Sequence, residues 1–294
     1  MKIKFEELPR ALDKEISSEL ANYSVAICRY RGADGHSFRL LGSGTLVTRD
    51  GRYGILTAYH CLHECNPEVK LGDASDQKLV FILRGSVQVV IGTDELIERE
   101  LACPKAAPWG PDLTFIEIPV GPRLSRFKAV GSFWSLDKNW AAVLGNFATP
   151  GTCMVCIGYP SVYQETEVKD GHIVKNKGEI HAFLGFLKRG AWQRRGAWDF
   201  AQISANYNSS PTLPANFEGV SGGGFWTIRF LKENGVIKIG RICFMGVAFY
   251  QTPLKNGKRR IRAHFVRSVY STAWQSVVCT AGRFFRDRSK KEAC

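Results

Sequence analysis

Three residues with the chemistry of an activated nucleophile occur in separate parts of the sequence. His60 and Asp112 each border a short apolar run, and Ser221 lies in the segment Glu218–Phe225, which contains four glycines. A serine hydroxyl is a weak nucleophile at neutral pH and needs an adjacent base. In such a set the histidine takes the serine proton, and the aspartate holds the histidine tautomer and stabilises the imidazolium. The chain therefore contains the groups required for nucleophilic acyl transfer.

The glycines around Ser221 add a second component of this chemistry. Glycine permits sharp backbone turns, so that amide N–H groups can point inward. We expect the amides of Gly219 and Ser221 to form an oxyanion hole. One such donor contributes about 3 kcal/mol of transition-state stabilisation.

The elements that must position these residues are mainly strands. Short runs of β-branched and aromatic residues, punctuated by Gly, Asn and Asp, predict an all-β barrel or sandwich. The predicted strands are Ser24–Arg29, Gly44–Val47, Gly54–Ala58, Lys78–Leu83, Val87–Ile91, Leu113–Ile118, Met154–Ile157, Gly224–Arg229 and Cys243–Phe249.

Two helices are predicted at the ends of the chain. Helical spacing over Phe5–Ala21 places Leu8, Leu12, Ile16 and Leu20 on one face. Tyr270–Phe284 is predicted as a closing helix. The segment Tyr207–Phe217, rich in Asn, Ser and Pro, is predicted as a loop that leads to Ser221.

Composition limits the function classes. The chain has 294 residues and a net charge of +13. Residues 253–294 hold eleven Lys and Arg against two acidic residues, which predicts a basic tail on a nearly neutral body. No run approaches the ~20 apolar residues of a membrane span, and residues 1–19 lack the apolar segment of a signal peptide. Nine dispersed cysteines then predict reduced thiols and a cytoplasmic location.

The three motifs together resemble those of the trypsin/chymotrypsin-like serine peptidases, in an intracellular form not activated as a zymogen. The resemblance covers roughly Ser24–Ala273. It implies two six-stranded antiparallel β-barrels, with His60 and Asp112 in the first and Ser221 in the second. The implied organisation is an N-terminal helical extension (1–22), the first barrel (23–125), the second barrel (126–268), and a C-terminal helix with the basic tail (269–294).

The resemblance implies a serine endopeptidase that forms an acyl-enzyme on a protein or peptide substrate, without cofactor or metal. The implied substrate-binding residues are Ala215 at the pocket floor, Ala263 and Phe265 in its wall, and Phe249 and Tyr250 on the strand that pairs with the substrate backbone. No carboxylate is placed to neutralise a buried Lys or Arg. An apolar or small side chain before the scissile bond is therefore expected.

Two positions depart from the family pattern. Val220 stands where zymogen-activated members have an aspartate that pairs with a newly cut N-terminus. Its apolar side chain predicts control by other means, such as an activator protein or narrow specificity, as in an effector of a stress or defence pathway. Phe249 stands where the family usually has a Ser or Thr that donates to the aspartate.

Two other interpretations were considered. The first is a zinc site, because the segment His60–Cys65 is dense in zinc-ligand types and Cys153 and Cys156 form a C-x-x-C pair. However, Cys153 and Cys156 would face opposite sides of a strand, and no second well-spaced pair completes a tetrahedral set, so a zinc site is disfavoured. The alternative function is a catalytically silent barrel that binds a protein or nucleic acid, through the tail or through Arg194-Arg195 beside Trp192 and Trp198. No nucleic-acid motif is present, so a solvated basic surface is favoured there.

Overall fold

The computed structural model describes residues 10–31, 37–63, 78–103, 110–146, 152–161, 164–169, 172–178, 181–185, 192–207, 213–214, 216–275 and 283–284. Within these residues the chain is mostly β-structure with few helices, as the sequence predicts. Strand pairing gives two large sheets and one two-stranded sheet. Neither large sheet closes into a barrel through pairing of its described strands, so the two six-stranded barrels stay a prediction.

The first sheet carries the histidine and aspartate half of the site. Its strands are β1 (Ser24–Arg31), β2 (Ser37–Arg49), β3 (Arg52–Thr57), β4 (Lys78–Leu83), β5 (Val87–Gly92), β6 (Ile97–Ala102), β7 (Leu113–Glu117), β8 (Trp134–Ser135) and β18 (Arg283–Phe284). Across the sheet their order is β18-β6-β7-β3-β2-β1-β4-β5, with β8 added in parallel to β2 and every other pair antiparallel.

The second sheet contains the strand that begins three residues after Ser221. Its order is β12-β9-β15-β16-β17-β14-β13, antiparallel throughout, and β10 and β11 form the separate pair. The strands are β9 (Thr152–Gly158), β10 (Gln164–Lys169), β11 (His172–Gly178), β12 (His181–Gly185), β13 (Trp192–Arg195), β14 (Trp198–Asn206), β15 (Gly224–Glu233), β16 (Val236–Gln251) and β17 (Lys258–His264).

All nine predicted strands are present, some of them longer than predicted. Apolar runs such as Lys78–Leu83 form strands because their β-branched and aromatic side chains pack well on a pleated, buried surface. The largest apolar cluster joins residues of both sheets, including Val47, Phe115, Phe225 and Phe244. This cluster therefore connects the two sheets that carry the halves of the site.

The N-terminal helix is confirmed over its described part, α1 (Arg10–Ala21), where Leu12, Ile16 and Leu20 are buried. Two helices that lie between β7 and β9 along the chain were not predicted, α2 (Pro122–Val130) and α3 (Leu136–Asn146). The α2 helix has Pro122 at its first turn and Gly131 at its end. That pair is a recognised signature of helix ends, so the sequence does carry a signal for α2.

The predicted closing helix is wrong at its end. After β17 the chain forms a turn of π-helix (Ser268–Thr272) and the short α4 (Ala273–Gln275). Arg283–Phe284 is instead a strand that pairs with Ile97 and Glu98 of β6. The open edge of β6 supplies backbone partners for this segment, and helical periodicity does not register such an edge.

Candidate active site

His60 and Asp112 meet because their strands are neighbours. A turn of 3₁₀-helix (Tyr59–Cys61) follows β3 and carries His60, and Asp112 immediately precedes β7. The antiparallel register of β3 and β7 brings the end of one strand to the start of the other. His60 Nδ1 lies 2.5 Å from Asp112 Oδ2, and the His60 amide donates to Asp112 Oδ1 at 3.0 Å.

The pair fixes the tautomer of His60. A hydrogen bond from Nδ1 to the carboxylate requires the proton on Nδ1, which leaves a lone pair on Nε2. The Asp112 side chain is 8% exposed, whereas that of His60 is 38% exposed. His60 therefore offers a base to the surroundings while its orienting carboxylate is shielded from water.

His264 accepts a hydrogen bond from the backbone of Asp112, a role that sequence reasoning missed. The Asp112 amide donates to His264 Nε2 at 2.9 Å, and the His264 side chain is fully buried. Burial lowers the pKa of His264 to about 4, since an apolar environment disfavours the charged imidazolium. His264 is therefore neutral at physiological pH, with its proton on Nδ1.

Phe249 packs against this imidazole. Its ring centroid lies 4.8 Å from that of His264 and 5.8 Å from that of Phe200, and it is 5% exposed. A phenyl ring cannot donate to the Asp112 carboxylate. Both hydrogen bonds given above for that carboxylate come from His60 instead.

The segment around Ser221 contacts the histidine half of the site through its backbone. The Ser221 carbonyl accepts the Ser43 amide at 2.7 Å and the Cys61 thiol at 3.4 Å. Cys61 is the residue after His60. Gly222 makes this approach possible, because its φ is +86° and a Cβ there would lie 1.9 Å from the Ser43 carbonyl oxygen.

Ser43 of β2 holds the same segment at a second point. Its hydroxyl donates to the Gly219 carbonyl at 2.7 Å and accepts the Tyr159 amide at 2.8 Å. Ser43 belongs to the first sheet, whereas Ser221 leads into the second. Sequence reasoning noted the Gly42–Val47 motif only as a strand, because nothing local marks a hydroxyl that bonds a segment 176 positions away.

Two carbonyls of the segment orient the peptide planes beside the serine. The Glu218 carbonyl accepts the Ser161 amide at 2.8 Å, and the Val220 carbonyl accepts the Gly223 amide at 2.8 Å. A trans peptide directs its C=O and N–H in opposite directions. The N–H groups of the residues that follow these carbonyls therefore point away from Ser161 and Gly223.

Those two N–H groups belong to Gly219 and Ser221. Neither donates a hydrogen bond to any residue that the structure describes, whereas the amides of Val220 and Gly222 donate to backbone carbonyls at 3.1 and 2.7 Å. Backbone N–H groups in protein interiors are nearly always paired. Two amide N–H groups beside a serine that have no such acceptor can bind an oxygen that carries developing negative charge.

Val220 anchors the segment by apolar packing. Its side chain is 1% exposed and belongs to the largest core cluster. A Cβ at Gly158 would come within 3.1 Å of the Val220 Cα, so the two backbones lie very close. The segment is therefore held in place without an ion pair at this position.

The predicted pocket residues lie in three different environments. Ala215 is outside the described residues, and Tyr250 is half-buried. Ala263 and Phe265 are 0% and 1% exposed and belong to the main core cluster, so neither presents surface as a pocket wall. Side chains alternate along a strand, so the opposite face of β17 presents Arg262 and His264.

Three further findings concern metal binding, a second histidine–carboxylate pair and membrane spans. No group of three or more His, Cys, Asp and Glu is arranged to hold a metal ion among the residues the structure describes. A second histidine–carboxylate pair, His63 Nε2 to Glu98 Oε1 at 2.5 Å, fastens the turn that bears His60 to β6. None of the described helices combines the length and apolarity that a membrane span requires.

No family model matches the chain, and no curated protein matches it. The functional argument therefore depends on the residues and their geometry.

Proposed function

We propose that this protein is a trypsin-like serine endopeptidase that cleaves peptide bonds through an acyl-enzyme on Ser221. The observation that carries the proposal is the meeting of two half-sites. His60, hydrogen-bonded to Asp112, follows the end of β3. The serine segment, with two amide N–H groups that donate to no described residue, contacts Cys61, the residue after His60. In this proposal each large sheet belongs to one of two six-stranded barrels.

The reaction follows from the groups present. His60 Nε2 takes the Ser221 hydroxyl proton as Oγ forms a bond to the substrate carbonyl carbon. The carbonyl oxygen becomes an oxyanion and accepts hydrogen bonds from the Gly219 and Ser221 amides. The C–N bond then breaks and the leaving amine takes the proton from His60. Water then attacks the acyl carbon as His60 takes its proton. The bond between that carbon and Ser221 Oγ breaks, and Oγ takes the proton back from His60, which releases the acid and restores Ser221.

Val220 bears on how the activity is controlled. Packing of Val220 in the core holds the serine segment without a newly cut N-terminal ammonium. Activation by cleavage is therefore not part of the proposal. The proposal does include control by an activator protein or by narrow specificity. It also includes a cytoplasmic location and a role as an effector in stress or defence.

The test is covalent labelling with a fluorophosphonate, read by intact mass. The native chain is expected to gain one adduct, and Ser221→Ala none. Ser132→Ala is the matched control, since Ser132 is an exposed serine in the connection between α2 and β8. It is expected to label as the native chain does.

The outcomes separate the two function classes. A single adduct that disappears only in Ser221→Ala identifies an activated nucleophile. An adduct that persists in Ser221→Ala contradicts the proposal. Absence of an adduct on the native chain shows that the isolated chain has no activated serine, which favours the silent binding module or a requirement for the activator.

A further inference from the structure

The cationic residues near the C-terminus are not all on a tail. Lys258, Arg259, Arg260 and Arg262 belong to β17, in the second sheet. Strands β13, β14 and β17 together carry six Lys and Arg and one acidic residue, Asp199. The Asp199 carboxylate accepts the amides of Arg267 and Ser268, at 3.0 and 2.6 Å. This part of the sheet is therefore strongly cationic and attracts anions.

Arg262 lies beside β16, the strand whose backbone contacts the serine segment. It is opposite Tyr250 in the β16–β17 register, and its Cζ lies 4.9 Å from the centroid of the Tyr250 ring. The carbonyl of Ala248 accepts the Gly222 amide at 2.7 Å. Tyr250 is two residues further along, about 7 Å at the rise of a strand. Arg262 is therefore close to any extended peptide that reaches Ser221.

The edge of β16 that faces away from β17 can accept such a peptide. Pairing between β15 and β16 ends at Gly224 and Val247, and no described strand pairs with the same edge beyond that point. The other edge of β16 pairs with β17. An extended peptide can add to an open edge of this kind, with backbone hydrogen bonds for affinity and side-chain contacts for specificity.

The guanidinium of Arg262 lies among other cations. Its pKa is lowered, chiefly because burial disfavours the charged form; Tyr250 opposes the shift, and Arg195 and Arg260 add to it. Gln202 is opposite Arg262 on β14, and its buried Oε1 accepts no hydrogen bond from the described residues. A ligand carboxylate that reaches this group of cations is attracted by all three guanidinium groups.

We propose that Arg262, flanked by Arg195 and Arg260, binds the carboxylate of an Asp or Glu side chain near the scissile bond of the peptide substrate. This inference rests on the proposed peptidase function and names its substrate class. It differs from the apolar or small residue that the sequence predicts. Arginine suits this role because its planar fork of N–H donors can bind both carboxylate oxygens.

The experiment compares cleavage of paired peptide pools that carry either Glu or Gln at one scanned position. The native chain is expected to cleave the Glu pool faster at one position near the scissile bond, with kcat/KM higher by about 10- to 100-fold. Arg262→Gln is expected to remove most of that preference, and Arg262→Lys to retain part of it. Arg241→Gln, at an exposed arginine of β16, is the matched control and is expected to keep it. Thermal unfolding checks that each variant is folded.

Two readouts distinguish failure of this inference from failure of the proposed function. If the native chain is labelled at Ser221 but cleaves both pools equally or neither, the inference is overturned and the nucleophile stands. A preference for Glu that survives in folded Arg262→Gln also overturns it. If Ser221 is not labelled at all, the failure is that of the proposed peptidase function in the isolated chain.

Discussion

Asp112 accepts two hydrogen bonds from His60, one from its ring and one from its amide, and so fixes both the tautomer and the position of the ring. Asp112→Asn would present an amide of nearly the same shape that favours the wrong tautomer. We expect kcat to fall by about 10⁴-fold with little change in KM. Steady-state kinetics at neutral pH measure this. Retention of more than a tenth of the native kcat would show that Asp112 does not orient the base.

His264 makes a pH-dependent contribution to stability. The unfolded chain binds a proton at this histidine below about pH 6.5, whereas the folded chain does so only below about pH 4. The contribution is complete above the unfolded pKa and is lost as the pH falls towards 4, by about 3 kcal/mol. His264→Gln keeps an acceptor for the Asp112 amide but does not titrate in this range.

Urea unfolding at pH 7 and pH 4 measures this difference. The free energy of unfolding is expected to fall more steeply on acidification for the native chain than for His264→Gln. Other groups titrate alike in both proteins, so the difference isolates His264. Equal pH dependence in the two proteins would contradict the assignment.

At the scale of elements, strand β2 positions the serine segment through Ser43. Ser43→Ala removes the donor to the Gly219 carbonyl and the acceptor for the Tyr159 amide. Leaving such groups unsatisfied costs about 1–3 kcal/mol each. We expect lower stability and slower fluorophosphonate labelling of Ser221. Ser43→Thr keeps the hydroxyl and is the comparison; labelling at the native rate in Ser43→Ala would exclude the positioning role.

The elements also show how far the sequence alone leads. Local signals predicted the strands, α1, and the motifs of His60, Asp112 and Ser221, because apolar runs and glycines act within a few residues. The side chains of β17 follow an equally local rule: Ile261 and Ala263 lie on one face and Arg262 and His264 on the other, and Phe265 follows the strand. The family resemblance assigned two of the buried residues to the pocket instead. The hydroxyl of Ser43 acts through tertiary contacts that no local pattern encodes.

At the scale of the whole molecule, the site depends on the docking of two sheets. The largest apolar cluster contains residues of both, and Val220 belongs to it. Packing at Val220 holds both this cluster and the backbone beside Ser221. The stability of the core and the geometry of the nucleophile are therefore linked, and a disturbance at Val220 is expected to affect both.

Val220→Asp tests this link, since it places at this position the residue that zymogen-type members of the resembled family carry. The side chain is 1% exposed, and an unpaired buried carboxylate is strongly destabilising, by about 3–5 kcal/mol. That is a large part of the 5–15 kcal/mol that stabilises a typical domain. We expect Val220→Asp to have a lower Tm and to lose Ser221 labelling. Val220→Ile keeps an apolar side chain, so its Tm and its labelling are expected to stay closer to the native values. If Val220→Asp keeps native stability and labelling, an ion pair can hold the serine segment in place of apolar packing. Activation through a newly cut N-terminus would then again be a candidate mechanism.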